Sequence, residues 1–128
     1  MTQEEHNIQC ACVRWFGYAH PELRGLLFAV PNGGARSKAT AGMLKAEGVV
    51  AGVSDLILLV PRRRAKITEN NAASIEIKHA LCIEMKKNGG YQSPEQKIWQ
   101  RLVEEHGYKY AVCRSLDEFI DTVEAYLR

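Results

Sequence analysis

The sequence predicts an α/β fold, a mixed β-sheet of about four strands flanked by helices in the order α-β-α-β-β-α-β-α. Short apolar runs rich in branched residues alternate with segments whose apolar residues recur at three and four. Glycine, proline and serine mark nearly every boundary between them. With 128 residues, no internal repeat and no low-complexity tract, residues 1–128 read as a single domain.

The elements follow in order. In 3–16, Ile8, Ala11, Cys12, Trp15 and Phe16 form one helical stripe, interrupted by Gly17 and closed by His20-Pro21. Residues 26–30, Leu-Leu-Phe-Ala-Val, are a strand stopped by Pro31-Asn32-Gly33-Gly34. Residues 35–47 read as a helix ended by Gly48, and 53–60 as a strand stopped by Pro61. From 61 to 79 the chain turns polar and basic, which predicts a long loop or hairpin extension. Leu81 to Lys86 is the next strand. Ser93-Pro94-Glu95-Gln96 opens a helix: serine as N-cap, proline at N1, and glutamine at N3 completing a capping box. Its buried stripe is Ile98, Trp99, Leu102 and Val103. A strand at 108–113 and a helix opened by Ser115 complete the chain, with Phe119, Ile120, Val123 and Leu127 on the inner face.

Composition narrows the function classes. A chain 46% hydrophobic and 25% charged is not disordered. No apolar run approaches the ~20 residues that span a membrane, and the polar start MTQEEHNIQ does not resemble a secretory signal. Cys10, Cys12, Cys82 and Cys113 lack the paired spacing of a zinc site, and Cys82 and Cys113 sit in apolar runs. A reduced, cytoplasmic protein is the expectation. The net charge of +2 does not by itself announce nucleic-acid binding. Its distribution says more: Arg62-Arg63-Arg64-Ala65-Lys66 is a compact basic run, and Arg36, Lys38 and Lys45 cluster earlier. Either group also fits a plain solvated surface.

The chemistry-bearing residues gather around 55 and 84–86. If 53–60 and 81–86 pair antiparallel with the turn centred near Asn70, Asp55 falls opposite Met85 and diagonal to Glu84 and Lys86. Glu84 and Lys86 share a side because strand side chains alternate. Two carboxylates that converge repel unless a cation sits between them, and hard oxygen ligands suit Mg²⁺ or Mn²⁺. A lysine beside such a site can orient or deprotonate a water, or stabilise charge on a phosphate. Read alone, Glu84-x-Lys86 is more simply a surface ion pair, and Asp55 a turn cap. Glu76-x-Lys78 spells nearly the same pair. In this register Glu76 faces Arg64, about 25 Å from Asp55 at ~3.3 Å per residue, so it belongs to the extension.

The series Glu5-x-x-x-Gln9, Pro31-Asn32-Gly33-Gly34-x-Arg36, Glu47-Gly48-Val49-x-x-Gly52-Val53-Ser54-Asp55-Leu56, Ile83-Glu84-Met85-Lys86, Ser93-Pro94-Glu95-Gln96 and Gly107-Tyr108 resembles the VRR-NUC family, the virus-type replication–repair nucleases of the PD-(D/E)XK superfamily. The resemblance runs from Glu5 to the C-terminal helix and implies a restriction-endonuclease-like sheet. It implies that Asp55, Glu84 and the Met85 carbonyl hold Mg²⁺ or Mn²⁺, with Glu5 completing the shell directly or through water. Lys86 would serve the attacking water, and Gln96 would lie near the metal or scissile phosphate. Capping fits Gln96 equally well. Asn32, Gly33, Arg36 and Lys38 would lie along the DNA backbone, with Arg62, Arg63 and Arg64 as a DNA-contacting arm. The chain departs from the family pattern at Ser54, where proline is usual, and in a longer segment between Asp55 and Glu84.

Stand-alone members of this family resemble phage or bacterial Holliday junction resolvases, and act as dimers on branched DNA. The resemblance therefore implies a metal-dependent endodeoxyribonuclease and a homodimer in a bacterial or phage-infected cell. The alternatives are a flap or restriction-type nuclease, and a DNA-binding module without catalysis.

Overall fold

A computed structural model describes residues 1–31 and 37–128. Thr2 opens helix α1 (Gln3–Ala19) with a capping box, its hydroxyl accepting from the Glu5 N–H while the Glu5 carboxylate accepts from Thr2 N–H. The helix runs through Gly17 and stops at His20, followed by one 3₁₀ turn at Pro21–Leu23. Strand β1 (Leu27–Ala29) leads to helix α2 (Lys38–Ala46), capped by Ser37. Then come β2 (Leu56–Leu58), β3 (Arg62–Ile67), β4 (Ala73–Lys78) and β5 (Leu81–Met85). Helix α3 (Pro94–Glu105), strand β6 (Lys109–Cys113) and helix α4 (Leu116–Leu127) complete the chain.

The main sheet has the order β1-β2-β5-β6, antiparallel at its first two junctions and parallel at β5–β6. Among the described residues this is the expected mixed four-stranded sheet with four helices. The 61–79 segment is a hairpin, β3–β4, forming a separate two-stranded sheet. Between β5 and β6 the chain must return to the same end of the sheet, and α3 supplies that crossover.

The core lies between the sheet and helices α1 and α4. Leu56, Leu58, Leu81, Ile83, Met85 and Cys113 pack against Cys12, Phe16, Phe119, Val123 and Tyr126, all buried. Each large apolar side chain so buried contributes about 1.5–3 kcal/mol. Cys12, Cys82 and Cys113 are free thiols inside the core, where burial pushes their pKa up, Cys12 to about 12. They act as small apolar groups. Trp15 meets Phe119 edge-on at 6.0 Å, and His20 reaches Glu124 at 2.6 Å, tying the end of α1 to α4.

Two expectations are corrected. On α3, Ile98 and Leu102 face outward, 65% and 51% exposed, and only Trp99 and Val103 turn partly inward. The helix leans on the sheet along one narrow edge, with Trp99 against Tyr110. The second correction concerns register. Leu56 pairs with Ile83 and Leu58 with Leu81, one residue from the expected alignment, so continuing the ladder puts Asp55 opposite Glu84 rather than Met85. The hairpin does keep the expected register, with Arg64 facing Glu76. Between Leu58/Leu81 and Arg62/Lys78 the first strand has residues 59–61 where the second has only 79 and 80. That extra residue, next to Pro61 with no N–H to pair, acts as a bulge and shifts the phase. The Tyr126 hydroxyl seals the offset by donating to the Val60 carbonyl at 2.7 Å.

Candidate active site

The register decides where the carboxylates go. Directly opposed residues project to the same side of a sheet, so Asp55 and Glu84 share a side while Ile83 and Met85 enter the core. The expected alignment would have placed Asp55 with Met85. Asp55 sits just before β2, held by its carbonyl, which accepts from Val30 N–H at 2.9 Å, and by its Oδ2, which accepts from Met85 N–H at 2.7 Å. Ser54, in the place of the usual proline, is fully buried and donates to the Leu56 carbonyl at 3.1 Å. Its hydroxyl fixes the turn that proline would otherwise stiffen.

Glu84 is buried to 2% exposure in the middle of β5. Its Oε1 accepts from Gln96 Nε2 at 3.0 Å and lies 3.9 Å from Lys86 Nζ, while its buried Oε2 has no hydrogen-bond partner among the described residues. Burial, then the charge of Asp55, pushes the Glu84 pKa up to about 9, against a smaller pull from Lys86. A carboxyl in that setting holds a proton or pairs with a cation. Lys86 continues beyond β5, its N–H donating to the Cys113 carbonyl at 3.1 Å.

Glu5 arrives from α1. Its Oε1 accepts from Thr2 N–H and its Oε2 from Lys87 N–H, both at 3.0 Å. Burial raises its pKa, but these two N–H groups and the Lys86 charge outweigh that and hold the carboxyl below its usual range. Glu5 is thus a structural bond between α1 and the turn after β5 as well as a wall of the cleft. Gln96 completes the capping box and also reaches into the cleft. Its Oε1 accepts from Ser93 N–H at 2.8 Å in the capping box, and its Nε2 reaches Glu84.

These groups line a cleft of about 540 Å³, closed by Val30, Gly52 and Glu95. Gly52 is at φ +86°, and a Cβ there would stand 2.3 Å from the Glu95 carbonyl oxygen. Only glycine allows the 48–55 turn to approach the start of α3 so closely. That approach brings Asp55 and Gln96 to the same carboxylate.

Among the described residues no three His, Cys, Asp or Glu side chains are grouped to hold a metal ion. The donors that converge are two carboxylates, Asp55 and Glu84, beside the backbone of Met85, with Glu84 Oε2 left unpartnered among the described residues. Such a set fits Mg²⁺ or Mn²⁺, which keep several waters of their own. The engaged oxygens of Glu5 suit contact through water.

The DNA-contact candidates are placed differently. Asn32, Gly33 and Arg36 lie outside the described residues. Lys38 is exposed at the first turn of α2. Arg62, Arg63 and Arg64 lie on the hairpin and do not line the cleft. Arg62 stacks 5.1 Å over the Tyr126 ring and donates to Glu76 at 3.2 Å, and Arg64 donates to the Ala125 carbonyl. Glu76, the twin of Glu84, is paired with Arg62 and Lys66. Lys66 first, then Lys78 and Arg62, hold its carboxyl below the usual range.

Two contributors went unread in the sequence. Thr2-x-x-Glu5 is a plain capping-box signal. Arg114 has no local signal: its Nη1 donates to the Lys87 and Gly90 carbonyls, each at 2.9 Å, clamping the turn that carries Lys86 and presents Lys87 N–H to Glu5. Arg114→Ala is expected to cost about 1–3 kcal/mol through two lost charge-assisted bonds. Hydrogen exchange should show the Lys87 amide less protected, and unchanged protection would show that the clamp is idle.

Comparison with known proteins agrees with this architecture. No curated protein matches the chain. A solved structure described as a VRR_NUC domain protein superposes with a TM-score of 0.76 at 24% identity, covering 99% of this chain and 90% of that one. The family model for the VRR-NUC domain matches residues 1–117. The chain belongs to the VRR-NUC family of nucleases.

Proposed function

We propose that the chain is a divalent-metal-dependent DNA endonuclease acting on branched DNA in the manner of a Holliday junction resolvase. The observation that carries this reading is the convergence of buried Glu84 and Asp55 one step beyond the β2–β5 pairs, with Lys86 Nζ 3.9 Å from Glu84. Asp55, Glu84 and the Met85 carbonyl would hold Mg²⁺ or Mn²⁺, and Glu5 would support the shell through water. Once bound, the metal supplies Lewis-acid polarisation of a phosphate oxygen and a more acidic water. Lys86 orients or deprotonates the attacking water and stabilises charge on the phosphate. Gln96 holds Glu84 in place and offers its amide to the scissile phosphate. Asn32, Gly33, Arg36 and Lys38 would contact the DNA backbone, and Arg62, Arg63 and Arg64 would add positive potential along the hairpin. A two-fold dimer would suit paired cuts on a four-way junction.

The test offers four-way junction, flap, nicked, linear and single-stranded DNA to the purified chain with Mg²⁺, Mn²⁺ or chelator. Junction cleavage dependent on metal is expected. Calorimetry should detect metal binding that Asp55→Ala removes, and metal at ten times Kd should raise stability by about 1.4 kcal/mol. Cleavage in chelator overturns the metal assignment. Preference for a flap or linear duplex moves the substrate to a flap or restriction-type nuclease. No metal binding and no effect of Asp55→Ala point to a DNA-binding module instead.

A further inference from the structure

Among the described residues three buried side-chain polar atoms have no hydrogen-bond partner. Two of them, Glu84 Oε2 and Gln9 Oε1, belong to residues that line the same cleft. A buried acceptor left unpaired costs stability, so two in one cleft point to something that binds there. Glu84 Oε2 is accounted for by the metal reading above, and Gln9 lies outside that set. It stands on α1 one turn after Glu5, so both side chains leave the same side of the helix and line the same wall. The Glu5 oxygens already accept from Thr2 N–H and Lys87 N–H, each at 3.0 Å. The Gln9 oxygen is the unengaged acceptor on that wall.

What Gln9 lacks is a donor. No protein donor among the described residues reaches its oxygen. The Gln96 amide nitrogen is engaged with Glu84, and Lys86 Nζ also lies against Glu84. A DNA backbone brings none, because its phosphate and sugar oxygens only accept. Water remains, and a water held by a divalent cation is a strong donor, since the cation draws charge from its O–H bonds. We propose that Gln9 is a positioning residue that accepts a hydrogen bond from a water of the metal's shell, beside Glu5. The proposal rests on the metal reading of Asp55 and Glu84. It adds a neutral acceptor, which can orient that water without adding charge to carboxylates that already repel.

Calorimetry with Mg²⁺ and Mn²⁺, together with melting of the metal-free chain, tests this on wild type, Gln9→Leu and Gln9→Glu. Leucine has nearly the bulk of the amide and no acceptor. The two readouts are expected to move in opposite directions in Gln9→Leu. Metal affinity falls about tenfold, as when an outer-shell partner is lost. The metal-free chain melts about 4 °C higher, because an unpaired buried oxygen is gone. Gln9→Glu keeps an acceptor and is expected to bind metal at least as tightly as wild type. Its metal-free form should melt lower, since a further carboxylate joins Glu5, Asp55 and Glu84. An amide that only supports the helix behaves otherwise: Gln9→Leu then melts lower, or leaves metal affinity unchanged, and either result overturns the proposal. A wild-type chain that takes up no metal overturns it together with the nuclease reading. Metal uptake that Asp55→Ala removes and Gln9→Leu spares overturns it alone.

Discussion

Lys86→Ala is expected to lower single-turnover cleavage by about 10³-fold or more while DNA affinity and folding stay near wild type. Positioned proton transfer contributes about 10²–10⁴, and removing one preformed stabiliser of transition-state charge costs about 10²–10³. The Lys86 side chain is 14% exposed, and its ion-pair contact among the described residues is Glu84 at 3.9 Å. Glu84 keeps its bond from Gln96 after the change. Filter binding on an uncut junction, thermal melting and single-turnover kinetics together separate chemistry from binding and folding. Cleavage at the wild-type rate in this variant would remove Lys86 from the mechanism.

Gly52→Ala is expected to be as damaging, through structure rather than chemistry. A left-handed backbone costs a non-glycine residue about 1–2 kcal/mol before any contact is considered. The new Cβ would also stand 2.3 Å from the Glu95 oxygen, 2.5 Å from its carbonyl carbon and 2.9 Å from Gln96 N. These are backbone atoms at the start of a helix, so α3 must retreat and Gln96 with it. A loss of about 3 kcal/mol or more is expected, roughly 10 °C in melting temperature for a domain of this size. Gly42 is the control. It lies within α2 with nothing among the described residues within 4 Å of its Cβ position, so Gly42→Ala should stabilise by about 0.5–1 kcal/mol. Equal melting of the two variants would show that the Gly52–Glu95 approach is not tight.

The element order was legible because turn residues and periodicity report local conformation. The same holds for the capping box at Ser93, where serine, proline and glutamine stand in their helical places. Register was not legible. It depends on how many residues each strand spends between two ladders, and the extra one at 59–61 is an ordinary Leu-Val-Pro in the sequence. Pairing Asp55 with Glu84 therefore needed the fold, although both residues stood out as candidates. The exposure of Ile98 and Leu102 was also hidden, because a helical stripe shows amphipathicity but not what lies beneath it. Arg114 illustrates the same limit, since its two carbonyl partners are more than twenty residues away.

Gln96 has a consequence for how the cleft can be watched. One carboxamide is bonded at its oxygen to Ser93 N–H and at its nitrogen to Glu84. Any ligand that draws Glu84 away frees the amide nitrogen, and the plane of that group cannot turn without disturbing the Ser93 bond. The Ser93 amide resonance is thus a native spectroscopic probe of the acid, needing no label in the cleft. Its shift during titration would follow what happens at Glu84 through the Gln96 amide.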